Sequence, residues 1–113
     1  PMISIIRWIL ARSLPVELFL VFANKAEADI IFRDEWDKDM REHGNFHCYH
    51  VLEQPPAGWL QGAGRVTEAM LRGHLPPPGS DTVTFLCGPP PMTDALETTL
   101  KAIGHSEQSI ILP

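Results

Sequence analysis

Asn24 and Glu53 each follow directly on a segment that the sequence predicts to be a β-strand, and Cys87-Gly88 stands at the carboxyl end of another such segment. In an open parallel sheet, ligands bind outside the carboxyl ends of the strands. An amide, a carboxylate and a thiol at these ends are groups that bind or orient a polar ligand. Glycine lets the backbone approach a ligand closely, and the prolines that follow Gly88 stiffen the turn. The sequence therefore predicts a ligand site at one edge of a sheet.

The elements that position these residues alternate along the chain. A helix begins at Pro1 and is apolar nearly all round, which predicts burial on more than one side. Asp34 is a favourable N-cap for a second helix that Gly44 stops, and Thr67 begins a third. A fourth helix is predicted over residues 92–103. Strands are predicted over residues 16–23, 46–52, 82–87 and 109–112, and a long loop over residues 53–64.

Alternating helices and strands predict an α/β fold, with a parallel sheet and helices on both faces. The run Val16–Ala23 is nearly continuously apolar, as is typical of a central strand that is covered on both faces. With 113 residues and no long linker, residues 1–113 are expected to form a single domain.

Composition excludes several classes of protein. The net charge is −5 and the basic residues are scattered, so a nucleic-acid surface is not expected. The apolar runs are short and interrupted by charges, so none is expected to cross a membrane. Cys48 and Cys87 form neither a disulfide framework nor a CxxC pair, which favours a reducing compartment.

The segment Cys87–Met92 reads CGPPPM and resembles the signature of the cytochrome b5 reductase and assimilatory nitrate reductase flavoproteins. Pro1-Met2 resembles the end of that family's turn G-T-G-I-T-P-M, and residues 22–33 resemble its segment F-A-N-x-T-E-x-D-I-x-x-R. Further matches follow in the expected order at Trp59, residues 64–66 and residues 74–78. The resemblance thus covers essentially the whole chain.

The resemblance implies the nucleotide lobe of a ferredoxin reductase-type protein, which passes a hydride from NADH to FAD and then single electrons to an acceptor such as cytochrome b5 or another haem protein. The family's flavin-binding barrel has no counterpart in these 113 residues. Residues 1–113 are therefore expected to be a partial NAD(P)H-binding domain that is inactive alone. Its partner would be the FAD lobe of the same protein. The protein is expected on the cytoplasmic side of the cell.

The resemblance also implies roles for individual residues. Cys87 takes the position beside the nicotinamide and helps to orient it, which makes it the catalytic candidate; a buried core cysteine is the alternative. The cofactor-binding turn after Cys87 consists of Gly88, Pro89, Pro90 and Met92. Pro1 and Met2 begin a helix whose first N–H groups would face the pyrophosphate.

Glu53 takes the position of the family's acidic residue, which accepts a hydrogen bond from the adenosine ribose. A carboxylate there suits a free 2′-hydroxyl and repels a 2′-phosphate, which favours NADH. Arg65 replaces an aromatic residue and could stack on the adenine or pair with a phosphate. Asn24 could contact the phosphates or ribose of the cofactor, or have a purely structural role in the turn after its strand. Trp59 is expected to pack within its loop.

Family topology further implies that a central strand is absent from this chain. The intact order would be second strand, first strand, absent strand, third strand, fourth strand. The chain could rearrange to close the gap, pair with another chain, or be a segment of a larger object, because unpaired apolar strand edges associate readily.

Two further alternatives concern function. His43, Cys48, His47 and His50 lie close in sequence, but His47 and His50 point to opposite faces of a strand and could not readily share a metal ion. Instead of a reductase lobe, the chain could be a non-catalytic α/β module that binds a nucleotide or another protein.

Overall fold

The computed structural model describes residues 2–112, so Pro1 lies outside the described residues. Its helices are α1 (Met2–Ala11), α2 (Arg33–Glu42), α3 (Glu68–His74) and α4 (Pro90–Ile103). Its strands are β1 (Leu18–Asn24), β2 (Phe46–Leu52), β3 (Gly62–Ala63), β4 (Thr84–Phe85) and β5 (Ile110–Ile111). Short 3₁₀ helices span Glu27–Asp29 and Glu107–Ser109. The predicted α/β class, with parallel strands and packed helices, is confirmed.

The strands form two parallel sheets. The first has the order β1-β2-β3, with Leu18 opposite Phe46 and Asn24 opposite Leu52. The second consists of β4 and β5, with Thr84 opposite Ile110. The neighbours β2-β1 and β4-β5 agree with the predicted order around an absent strand. Within residues 2–112, β1 and β4 do not pair with each other, so the gap is not closed by strand pairing.

Each sheet has its own hydrophobic core. The buried residues of the first core are Ile6, Leu10, Ile30, Trp36, Phe46 and Leu52. Those of the second core are Leu71, Leu86, Leu100 and Ile110. Helix α3 contacts β1, and the ring of His74 stacks on Tyr49 of β2 with centroids 3.5 Å apart. Helix α3 therefore joins the two halves.

Three sequence-based expectations about burial and helix ends are wrong. Helix α1 buries Ile6 and Leu10 but leaves Trp8 52% exposed, with only the guanidinium of Arg12 over its ring among the described residues. Strand β1 is half-buried rather than covered on both faces, because it is an edge of its sheet. Asp34 lies within the first turn of α2, and Phe32 occupies the N-cap with φ 57°.

The strand β3 was not predicted and lies within the expected loop. Gly62 makes it possible, because a Cβ there would lie 2.8 Å from Cγ2 of Val51 and 3.0 Å from Cε2 of Tyr49. Both side chains belong to β2, and Val51 is fully buried and has little room to move. Only glycine therefore lets this segment lie directly against β2.

No helix between Met2 and Leu112 has the length and apolar character needed to cross a membrane.

Candidate functional site

The carboxyl ends of the first sheet bring three of the predicted site residues together. Asn24 ends β1, and its carbonyl oxygen accepts a 3.1 Å hydrogen bond from the backbone N–H of Glu53. Glu53 directly follows β2, and Arg65 comes two residues after β3. The backbone N–H of Gly64 donates to the carbonyl of Leu52 at 2.8 Å, so the chain leaves β3 beside the end of β2. Glu53 and Arg65 are both exposed at this edge.

The side chain of Asn24 has an unused donor. Its Nδ2 atom is buried and has no hydrogen-bond partner among the described residues. Buried amide groups are nearly always hydrogen-bonded, because an unpaired one costs about 1–3 kcal/mol. A donor without a partner at the carboxyl edge of β1 suits a ligand that supplies oxygen acceptors, as the phosphates and ribose of a dinucleotide do.

The loop between β2 and β3 is held by side chains that point inward. The indole Nε1 of Trp59 donates to the carbonyl of Gly62 at 2.9 Å, and its ring packs against the first core. Gln61 accepts a 2.8 Å hydrogen bond from the backbone N–H of His50 through its side-chain Oε1. Trp59 thus packs within its loop, as expected, and fixes the segment that separates Glu53 from Arg65.

Cys87 and Gly88 lie at the carboxyl end of the second sheet. Cys87 is an exposed free thiol rather than a buried core residue. Gly88 has φ 156°, and a Cβ there would collide with the terminal methyl of Met92. Pro90 begins α4, and the carbonyl of Pro89 accepts from the N–H groups of Met92 and Thr93. The turn is thereby fixed at the start of α4, with the thiol accessible.

Met2 is the first described residue of α1, and the predicted start of this helix at Pro1 lies outside the described residues. Sequence reasoning missed Lys25, whose carbonyl oxygen accepts a 2.8 Å hydrogen bond from the N–H of Gln54. The position of Lys25 just after the end of a strand could have identified it, because the ligand site was expected at the strand ends.

A polar pair, the half-buried Cys48 and the buried His50, lies on the face of β2 that is covered by α2. The Sγ atom of Cys48 lies 3.6 Å from Nε2 of His50, and the buried Nδ1 atom of His50 has no hydrogen-bond partner within residues 2–112. Burial raises the pKa of the Cys48 thiol to about 12, with a further contribution from Asp37 against the opposing effect of Arg33. Burial and then Arg33 lower the pKa of His50, while Asp37 opposes them.

His47 lies on the other face of β2, where it contacts Glu17 at 3.1 Å and stacks on Phe19. His47 and His50 therefore do face opposite sides of the strand. Among residues 2–112, no three histidine, cysteine, aspartate or glutamate side chains are grouped so that they could hold a metal ion.

Protonation of His50 should make folding sensitive to acid. Its pKa is lower in the folded chain than in the unfolded one, so the unfolded state binds the additional proton first. We expect the free energy of unfolding to fall as the pH drops below about 6.5, by no more than about 1.4 kcal/mol per pH unit for this proton. Urea unfolding at pH 7.5 and 5.5 measures the change.

The variant His50→Gln should lose much of this pH dependence. The control His47→Gln, which changes an exposed histidine on the same strand, should retain it. An equal pH dependence in the native chain and in His50→Gln would contradict the assignment.

A family model described as an oxidoreductase NAD-binding domain matches residues 1–98. NADH-cytochrome b5 reductase 1 from Dictyostelium discoideum is 40% identical over 111 residues, which cover 97% of this chain and 39% of the relative. The Bos taurus protein of the same name is 42% identical over 109 residues, which cover 94% of this chain and 36% of the relative. The chain thus spans less than two fifths of the length of these relatives.

Solved structures resemble the chain over its whole length. The cytochrome b5 reductase domain of Ulva prolifera nitrate reductase superposes with a TM-score of 0.94 at 28% identity, covering 100% of this chain and 44% of that one. The CS-b5R domains of human Ncb5or, in the NAD⁺ form, superpose with a TM-score of 0.85 at 26% identity, covering 99% and 32%.

Proposed function

This chain belongs to the oxidoreductase NAD-binding domain family, and from that membership we propose that it is the NADH-binding lobe of a flavin-dependent reductase. The parent protein would pass a hydride from NADH to FAD and then single electrons to an acceptor such as cytochrome b5. The FAD would be held by another lobe of the same protein. By itself, the 113-residue chain would bind NADH without turning it over.

The observation that carries the proposal is the grouping of Asn24 and Glu53 at one sheet edge. Backbone hydrogen bonds fix the two residues side by side, one with a buried free donor and the other with an exposed carboxylate. A dinucleotide needs both kinds of group, because its phosphates accept hydrogen bonds and its ribose hydroxyls donate them.

The remaining residues would orient the cofactor. When bound, FAD supplies the acceptor for the hydride, and the task of this lobe is to bring the nicotinamide to it in a fixed orientation. Cys87 would lie beside the nicotinamide, and the turn from Gly88 to Pro90, with Met92 behind it, would let the backbone approach the ring. The N–H groups at the start of α1 would face the pyrophosphate.

A second candidate function is a non-catalytic module that keeps the fold and binds a nucleotide or a protein. The exposed thiol of Cys87 favours the reductase lobe, because a non-catalytic module requires no such group at the ligand edge of its second sheet. The carboxylate of Glu53 favours a site for a nucleotide over a site for a protein.

NADH binding to the purified chain tests the proposal. We expect saturable binding by calorimetry, and a roughly fivefold loss of affinity in Glu53→Gln, because the amide oxygen still accepts a hydrogen bond but one to a charged group is stronger by about 1 kcal/mol. The matched control Glu42→Gln makes the same change in charge at the end of α2, by the amino-terminal edge of the sheet, and should leave binding unchanged. A folded chain that shows no NADH binding would refute the proposal.

A further inference from the structure

Two cations flank Glu53 at the carboxyl edge of the first sheet. On one side, the backbone N–H of Gln54 donates to the carbonyl of Lys25 at 2.8 Å. On the other side, the N–H of Gly64 donates to the carbonyl of Leu52, and Arg65 follows immediately. Adjacent strands lie about 5 Å apart, so long basic side chains from both neighbours can reach a group bound at Glu53.

Neither cation is neutralised by a carboxylate. Lys25, Glu53 and Arg65 are all exposed, and across residues 2–112 none of them takes part in an ion pair. By contrast, Arg7 pairs with Glu35 at 2.7 Å and Arg72 pairs with Glu68 at 3.1 Å. Two carboxylates follow Lys25 closely but have other partners: Glu27 pairs with Arg33 at 3.2 Å, and Asp29 accepts a 3.0 Å hydrogen bond from the backbone N–H of Ala26. In a chain whose net charge is −5, Lys25 and Arg65 thus stay unpaired among residues 2–112.

These charges change which group, a 2′-hydroxyl or a 2′-phosphate, a ribose bound at Glu53 could carry. A lone carboxylate accepts a hydrogen bond from a free 2′-hydroxyl and repels a 2′-phosphate. A guanidinium presents a planar set of donors that matches a phosphate, and a nearby ammonium adds a point charge. With Lys25 and Arg65 beside Glu53, the repulsion of a 2′-phosphate is offset.

We propose that this nucleotide site accepts the 2′-phosphorylated dinucleotide NADPH as well as NADH, and that Arg65 is the residue that admits the 2′-phosphate. The inference rests on the proposed function of the chain as a dinucleotide-binding lobe. Glu53 retains the NADH interaction, Arg65 contacts the 2′-phosphate when it is present, and Lys25 provides a weaker contribution from the opposite side.

The affinities of NADH and NADPH test the proposal in the native chain and in Arg65→Ala. We expect the two dissociation constants of the native chain to lie within about tenfold of each other. Arg65→Ala should weaken NADPH binding by roughly tenfold or more and NADH binding by much less, since a charge-assisted hydrogen bond contributes about 1.5–3 kcal/mol. Lys25→Ala should shift the ratio in the same direction by a smaller factor.

Two further variants define the origin of the effect. Arg65→Lys keeps the charge but not the planar fork, and should give an intermediate ratio. Arg41→Ala removes one positive charge from an exposed position in the last turn of α2, by the amino-terminal edge of the sheet, and should leave the ratio unchanged.

The ratio of the two affinities separates this inference from the proposed function. If Arg65→Ala weakens both nucleotides equally, Arg65 stacks on the adenine and the inference is wrong, although the proposed function stands. The inference would also be wrong, and the proposed function would stand, if the native chain bound NADPH more than about 100-fold more weakly than NADH. A folded chain that binds neither nucleotide would overturn both.

Discussion

Replacing Trp36 with alanine should lower the free energy of unfolding by about 3–5 kcal/mol, which is typical for a buried aromatic residue. Only 1% of Trp36 is exposed, and its ring packs on Phe46 with centroids 5.9 Å apart. Its indole Nε1 donates to the carbonyl of Ile31 at 2.9 Å. Since a domain of this size is stable by about 5–15 kcal/mol, Trp36→Ala should remove a large part of its stability.

The loss should be concentrated in one half of the molecule. Trp36 belongs to the first core, and in the described part of the chain the two cores share no residue. Amide exchange should therefore increase in β1 and β2 more than around Leu100 in α4. Trp8→Ala provides the matched control, because this tryptophan is 52% exposed and should contribute much less to stability. Equal destabilisation by the two substitutions would contradict the assignment of Trp36 to the core.

The sequence predicted best those elements whose signals are local. Strand β2 spans residues 46–52 as predicted, because a run of β-favouring residues is bounded by Gly44-Asn45 and by Glu53. Helix α3 begins after Thr67, whose side-chain oxygen accepts from the N–H of Met70 as an N-cap does. Both signals involve residues within a few positions of each other, so they act without help from the rest of the fold.

Strand lengths depend on partners that the sequence does not reveal. Residues 82–87 and 109–112 were predicted as strands, but β4 and β5 are two residues each. A strand extends only as far as its ladder, and in the part of the chain that the structure describes β4 pairs with β5 alone. The opposite error occurred at β3, where the absence of a Cβ at Gly62 permits pairing in a segment whose composition indicated a loop.

The candidate site could be located from the sequence, but its details could not. Strand ends identified Asn24, Glu53 and Cys87 as positions at the carboxyl edges, which is where the structure places them. That the amide of Asn24 is buried without a partner depends on packing from distant segments. The contact between Cys48 and His50 was accessible to sequence reasoning, because residues two positions apart on a strand share a face.

The two free cysteines should differ more than 100-fold in their rate of alkylation. Cys87 is exposed, whereas Cys48 is half-buried and its thiol has a pKa raised to about 12, mainly by burial. Only the thiolate reacts, and at pH 8 a thiol with that pKa is ionised in about one molecule in 10,000. Iodoacetamide should therefore add one group per folded chain within the time of the experiment, and two groups in urea, as measured by mass spectrometry.

Single substitutions identify the cysteine that reacts fast, and protection by NADH connects that cysteine to the proposed function. Cys87→Ser should abolish the fast reaction, and Cys48→Ser should leave its rate unchanged. If Cys87 lies beside the nicotinamide, NADH at about ten times its dissociation constant should slow the alkylation roughly tenfold, because only the free chain reacts. Fast labelling of Cys48 would mean that the first core opens readily. Unslowed labelling of Cys87 in a chain that demonstrably binds NADH would place the nicotinamide elsewhere, because a ring packed against the thiol leaves no path for the reagent.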